Sequence, residues 1–475
     1  MAPPSKDKKP EKKPEKKPEP KKDSKKSGGL KLPYFDDIKK YNDKLVENTG
    51  IRLSPWLIFI VGTVILILGF LIAGNMVSLA LSIALFLAPL WLPVLLLGGA
   101  SALGIILKRS EFIFSQKTIL LEIKPPRDLV KTPLAMEAFL SNMNIGSGEG
   151  TWYAKSQGKV RPWWSLEIAS LEGQVHFFIW TRVIFKPVIE AQLYAQYPGV
   201  QVVEAPDYTR FISADPEEFG SWGCDFIHVD KDPIPIRTYI EYGLDKVQKE
   251  PEQVDPLANI IEFMGSLGKG EYLWLQFVIR MHKGEKYNKL NAKGKVYTWT
   301  DEAGELVNEI RAAAKDKDAP GPGMPTKGQA DKIAAIERNV SKQAFDVGAR
   351  GIYIAKKESF NAARIQGIIS MFNVVSSKGW NGLRPTGWMT MFSDYPWEFG
   401  VDKLKNAVRR AMVEAYRRRQ FFFEPFSFGV AKDKIMVMST EEIATVFHIP
   451  SRAVETPTLG RIQSATSEAP SNLPV

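Results

Sequence analysis

One cysteine and four histidines are all that this chain offers for nucleophilic or metal chemistry. Cys224 stands beside Asp225 and four residues ahead of His228, where an imidazole could take a thiol proton. No third group is evident to orient that imidazole, and a core cysteine in a strand is the simpler reading. His176 alternates within the aromatic run at 174–182 and reads as a packed sheet residue. His448 follows Phe447 just ahead of Ile449-Pro450 and reads as packing at a helix end. A lone cysteine excludes an intramolecular disulfide framework, and four scattered histidines, with no H-E-x-x-H or C-x-x-C, speak against a metal centre.

Phosphate chemistry is equally thin. Gly265 to Gly270 and Gly321 to Lys327 are glycine-rich but lack the hydroxyl residue after a properly spaced lysine, so no magnesium-bearing phosphate loop is expected. Gly146 to Gly150 does not open a helix and is no dinucleotide fingerprint. The expectation is a protein without enzymatic activity, cofactor or metal. Two features remain for binding. Arg417, Arg418 and Arg419 close a predicted helix over 401–419, where cations suit the helix dipole; they also fit nucleic acid or an acidic partner. Trp163-Trp164 and Phe177-Phe178-Trp180 would make either a stacking platform for bases or, with more weight, a sheet core.

The elements that would position these residues are strongly segregated along the chain. Its 475 residues carry 63 Lys+Arg against 53 Asp+Glu, a net +10. Residues 1–28 hold eleven lysines and five acids with no aromatic or β-branched residue, so the 1–30 segment is expected to be a disordered, solvated tail able to meet anionic lipid or nucleic acid. Tyr34, Ile38, Tyr41 and Leu45 share one helical face, so 31–53 is read as an amphipathic helix lying on a membrane. From Leu53 to Leu107 no residue is charged. Because one pass needs about 20 apolar residues, 54–108 is read as a two-helix transmembrane hairpin, with passes near 55–74 and 77–107 and a turn at Gly74-Asn75. Lys39, Lys40, Lys44 and Arg52 before it, and Lys108 and Arg109 after it, place both termini in the cytoplasm of an inner-membrane protein.

The rest reads as α+β. Over 110–215 the order is strand 118–126, helix 133–144, strands 164–172 and 174–182 about a turn at Gly173, helix 187–197 and strand 200–205. That is the β-α-β-β-α-β order of a ferredoxin-like domain. Over 225–440 the pattern recurs, with strands 236–243, 272–281 and 351–358 and helices 255–268 and 361–373. Thr132-Pro133-Leu134-Ala135 echoes Asp255-Pro256-Leu257-Ala258, as in an internal duplication. The second ferredoxin-like domain carries a helical insertion over 284–347. Residues 434–439 read as a strand, followed by a short helix capped by Ser439 or Thr440 with Glu442 in its first turn. Residues 441–475 are this helix and an extended tail.

At the level of whole blocks, GEGTWYAKSQGKVRPWWSLEIASLEGQVHFFIWTR, EFMGSLGKGE, AAIERNVSK, RGIYIAKK and MVEAYRRR make the chain resemble an uncharacterised bacterial membrane-protein family common in candidate-phyla genomes. Its ending resembles a segment that lies just ahead of the HerA-like motor domain in conjugation and type IV secretion ATPases. The matching positions are Glu441, Glu442, Ala444, Phe447, His448, Pro450, Pro470, Asn472, Leu473 and Pro474. This chain stops where that motor would begin. The resemblance therefore implies a non-catalytic scaffold or adaptor that docks a separate HerA-like motor ATPase through those residues, with homo-oligomerisation as a further expectation. The alternative is a membrane-tethered nucleic-acid binder using the basic tail and Arg417–Arg419.

Overall fold

A computed structural model describes residues 62–69, 74–213, 215–245, 254–287, 289–291, 294–314, 325–392, 400–419, 421–423, 434–451 and 460–461. The expected tail (1–30), juxtamembrane helix (31–53), start of the hairpin and residues 462–475 lie outside them. The chain divides into two units, Met1–Leu97 and Gly98–Val475.

In the first unit, 62–69 is helical and α1 (Gly74–Phe86) follows, so Gly74 opens a helix rather than the expected turn. The break comes at Leu87, where the Trp91 indole N–H reaches back to the Ala84 carbonyl (3.0 Å). α2 (Ala88–Ser115) then begins and continues into the second unit. It is uncharged as far as Leu107, and leucines such as Leu90 and Leu97 stand more than two-thirds exposed. At 1.5 Å per residue its uncharged part is about 30 Å long, the depth of a bilayer core. Among the described residues, α2 is the one helix long and apolar enough to cross a membrane.

The second unit is built on one antiparallel sheet. Its first half holds β1 (Thr118–Lys124), α3 (Leu134–Asn142), the short α4 (Trp152–Ser156), β2 (Trp164–Leu171), β3 (Gln174–Arg182), α5 (Lys186–Gln196) and β4 (Gln201–Ala205). Its second half holds β5 (Phe219–His228), α6 (Pro256–Gly265), β6 (Glu271–Met281), the inserted α7 (Trp299–Ala313) and α8 (Lys327–Ser341), β7 (Ala344–Lys356), α9 (Ala363–Ser370) and β8 (Leu383–Thr386). Then come α10 (Val401–Arg417), β9 (Met436–Ser439) and α11 (Thr440–Val446). The strand order is β4-β1-β3-β2-β6-β7-β5-β8, and β9 pairs with the start of β7. Read outward from the central β2·β6 pair, each half gives its second, third, first and fourth strand. The halves join in one register from Trp164↔Ile279 to Leu171↔Tyr272.

Local chemistry explains several of these elements. Glu172 and Gly173 both take positive φ (55° and 89°), which matches the twist of a tight β2–β3 hairpin. Asp255 caps α6 through Leu257 N–H (2.8 Å), with Pro256 at the first helical position. Ser439 and Glu442 form the reciprocal capping box of α11.

The expected strand over 236–243 is not one. Its donors go to side chains and loops instead: Ile236 N–H to Glu442 (3.1 Å), Arg237 N–H to the Val375 carbonyl (2.9 Å) and Tyr239 N–H to Thr445 Oγ1 (3.0 Å). The opening strand of the second half is β5, whose glycines interrupt its apolar alternation. They are needed there, because a Cβ on Gly223 would lie 2.6 Å from the Gly351 carbonyl, and one on Gly220 the same distance from the Phe360 ring.

The two faces of the sheet are covered differently. On one, α3, α5, α6, α9 and α11 bury Phe139, Leu193, Ile261, Ile368 and Ile443 against strand residues such as Leu166, Phe177, Leu275 and Phe345. On the other, α10 and the end of α2 bring Met412, Tyr416 and Ile113 onto Trp180, Trp274 and Ile352. α7 and α8 pack on each other through Leu306, Val307 and Ile336, around Ile234.

Candidate functional site

The second face carries charge into the core. Thr386, Asp225, Arg350, Gln276 and Glu167 lie side by side in register across five strands, and all but Thr386 are fully buried. Alternation along each strand turns all five to the same face. Glu167 accepts from Ser165 Oγ (2.6 Å), Tyr208 OH (2.8 Å), Gln276 Nε2 (3.1 Å) and Arg419 Nε (2.9 Å). Arg419 also bonds Asp207 at 2.6 and 2.9 Å. Asp225 accepts from Arg350 Nε (3.1 Å) and the Trp388 indole (2.8 Å). Burial works against the Arg419 charge, yet Glu167 and Asp207 hold its pKa well above the usual value. Burial would also raise Asp207, but Arg419 keeps that carboxyl low. Burial and Glu167 push the Tyr208 hydroxyl far up, so it stays a donor. Arg419 takes a left-handed φ of 48°, which this double carboxylate clamp holds in place.

Beside this row, the end of α2 meets the sheet. The Arg182 guanidinium lies over the rings of Phe112 (5.3 Å) and Trp163 (4.8 Å), and the Trp163 indole donates to the Arg419 carbonyl (2.9 Å). Arg280 stacks on Phe422 (4.4 Å) and Phe423 (5.0 Å), Arg109 of α2 reaches Phe423 (6.0 Å), and Arg350 faces Phe421 (5.1 Å). Planar guanidinium groups and ring faces thus alternate between α2 and the charged row. Burial lowers Arg182 to about 10, which leaves it charged near neutral pH. Next to it, Asp346 accepts from Arg280 Nε (2.9 Å) and contacts His282 Nδ1 (2.6 Å), while Arg161 pairs with Glu285 (2.8 Å). Burial opposes the Asp346 charge, but His282 and the arginines hold that carboxyl low. The arrangement is a clamp: buried charge and ring faces fixing a helix to a sheet.

Each of the four histidines is within bonding distance of an acid: His176 of Glu122 (2.7 Å), His228 of Asp232 (2.9 Å), His282 of Asp346 (2.6 Å) and His448 of Asp255 (3.0 Å). Cys224 is buried in β5, and burial with Asp225 pushes its thiol far up, away from the reactive thiolate. Among the described residues no three His, Cys, Asp or Glu gather as metal ligands would. Trp163, Trp164, Phe177, Phe178 and Trp180 are packed inside, where no base can reach them.

The expected docking residues are turned inward. Glu442 caps α11 and accepts from Ile236, Glu441 meets Thr238 Oγ1, Arg338 and Lys342, His448 bonds the Ala444 carbonyl, and Phe447 and Pro450 are buried. In this fold none of these five offers its side chain to a partner. Pro470, Asn472, Leu473 and Pro474 lie outside the described residues. The arginine run is likewise engaged. Arg417 donates to the Thr209 and Ile212 carbonyls, Arg418 pairs with Glu414, and Arg419 is buried on Glu167. Of the run, Arg419 is internal, while Arg418 stands exposed beside Glu414. Sequence reading passed over Arg161, Arg182, Glu167, Asp225, Arg350 and Asp346. For Glu167, Arg182 and Asp225 the signal was there, each as the one Asp, Glu, Lys or Arg of its strand.

Fold and junction together define an α+β body on one antiparallel sheet, joined by a continuous helix to an apolar segment long enough for a bilayer. The chain belongs to the family described as Domain of unknown function (DUF8128), whose model matches residues 112–461. The match opens at Phe112, the first side chain of α2 stacked on Arg182. No curated protein matches the chain.

Proposed function

We propose that this protein is a non-catalytic membrane-anchored scaffold: a two-pass inner-membrane protein with both termini cytoplasmic, whose body presents two edge-joined ferredoxin-like units. The observation that carries the reading is α2. It is uncharged to Leu107, meets its first cations at Lys108 and Arg109, and one turn later delivers Phe112 and Ile113 into the core of the body. An anchor continuous with a packed core transmits position; a flexible tether would not. The repeated strand order supports the ferredoxin-like assignment of both halves. The partner class, a separate HerA-like motor ATPase of a conjugation-like or secretion-like machine, rests on the resemblance of the C-terminal block alone. Since its first part is buried, the docking element is Pro470, Asn472, Leu473 and Pro474.

The test is affinity purification of the full chain from its native membranes in mild detergent, beside a variant with those four residues replaced by alanine. A motor ATPase retained by the first and lost by the second is expected. If the unaltered chain retains none, the scaffold reading fails.

A further inference from the structure

We infer that the end of the body around the exit of α2 is a phospholipid-interface surface, resting on bilayer head groups through exposed aromatic and aliphatic side chains ringed by lysines. This rests on reading α2 as a membrane span.

Trp152 is 83% exposed, Tyr153 66%, Ile184 74% and Phe114 69%. Solvated tryptophan and isoleucine side chains forgo roughly 25 cal/mol for each Å² they fail to bury, so such a group marks a surface meant for contact. All of them are tied to the last turns of α2. Trp152 and Tyr153 open α4, which is followed at Gly158 by the backbone of Lys108 and Arg109, so close that a Cβ there would lie 2.4 Å from the Lys108 carbonyl carbon. Ile184 follows Val183, whose N–H bonds the Lys117 carbonyl (2.9 Å) just past the end of α2. Phe114 is on α2 itself.

Charge agrees with this placement. Lys108, Lys117, Lys155 and Lys159 are exposed around these residues, against the exposed acids Glu111 and, paired with Lys186, Glu204. An amphipathic ring such as indole favours the head-group level, and each nearby lysine adds attraction to anionic lipid. The occupant follows from continuity. A helix that leaves a bilayer at Leu107 brings the next residues within head-group reach, and Trp152, Tyr153 and Ile184 beside them stand exposed.

Fluorophore quenching in reconstituted vesicles tests this. The full chain is prepared with one added cysteine, as Trp152→Cys, Ile184→Cys, Leu95→Cys or Gln174→Cys; the native Cys224 is buried and stays unlabelled. Gln174 is exposed at the opposite end of β3, about 26 Å from Arg182 by strand rise. Each is labelled with an environment-sensitive dye and placed in phosphatidylcholine vesicles, with or without phosphatidylglycerol, carrying nitroxides on the head group or along the acyl chain. Head-group nitroxide is expected to quench labels at 152 and 184 several-fold more than at 174, more strongly with phosphatidylglycerol present. Acyl-chain nitroxide should quench the label at 95. Labels at 152 and 184 no more quenched than at 174, whether solvated or covered by protein, overturn the inference while quenching at 95 leaves the anchor standing. An unquenched label at 95 overturns both.

Discussion

The two faces of the sheet solve the same burial problem with opposite chemistry. One face is closed by five helices with aliphatic and aromatic side chains, and its energetics scale with apolar area. The other buries Glu167, Asp225, Arg350, Asp346 and Arg419 beside tryptophans, and it is the face that receives α2. Buried ion pairs add little net stability over apolar residues of the same shape, but losing one partner is severe. The charged face therefore defines one arrangement sharply. Arg419 can sit in one place, between Glu167 and Asp207, and its own carbonyl then holds Trp163, which stacks on Arg182 and so on the end of α2.

That contrast can be broken most strongly at Arg419. Arg419→Ala leaves two carboxylates without their cation and is expected to cost about 4 kcal/mol in denaturant unfolding of the detergent-solubilised chain. The paired change Glu167→Gln with Arg419→Met is expected to recover much of that loss. On the apolar face, Leu275→Ala opens a cavity at a fully buried site and is expected to cost about 3 kcal/mol, with no dependence on a second charge. A guanidinium held by rings rather than carboxylates should behave differently again. Arg182 has two buried N–H groups without a hydrogen-bond partner, so Arg182→Met is expected to shift stability by less than about 1 kcal/mol, lost stacking being offset by relieved desolvation. A loss as large as that at Arg419 would show that ring stacking, not ion pairing, carries the junction.

The apolar face also carries buried polar groups, Glu137, Glu441, Glu442 and His448 among them, and Glu442 gives the comparison a pH signature. Burial pushes the Glu442 carboxyl from 4.5 up to about 7. A raised folded pKa means that this group's contribution is present below about pH 4.5 and is lost as pH rises through about 7. The thermal midpoint is expected to fall across that window, and Glu442→Gln to flatten the slope. Asp346 and Asp232 are held low, so their contribution is present above 3.8 and fades only in stronger acid.

Much of the architecture was legible from the sequence because it is local. Hairpin glycine, capping residues and apolar period mark β2 and β3, α6 and α11 to within about three residues. Two strands escaped for physical reasons. β5 carries glycines that only close packing explains, and β8 has four residues including Pro385. The 236–243 segment has strand-like side chains, but its Ile236 and Tyr239 donors go to α11, more than 200 residues away. The site was less legible still. A terminal arginine run looks solvent-bound in one dimension. What makes Arg419 internal is Glu167, 252 residues distant, facing it across the sheet.

Whether α2 fixes this body to a bilayer is answered most directly by alkaline carbonate washing of membranes that carry the full-length chain. The chain is expected to stay in the sedimented membranes, as an integral helix does. Release into the wash would show that the helix only lies against a surface, and anchored scaffolding would fall with it.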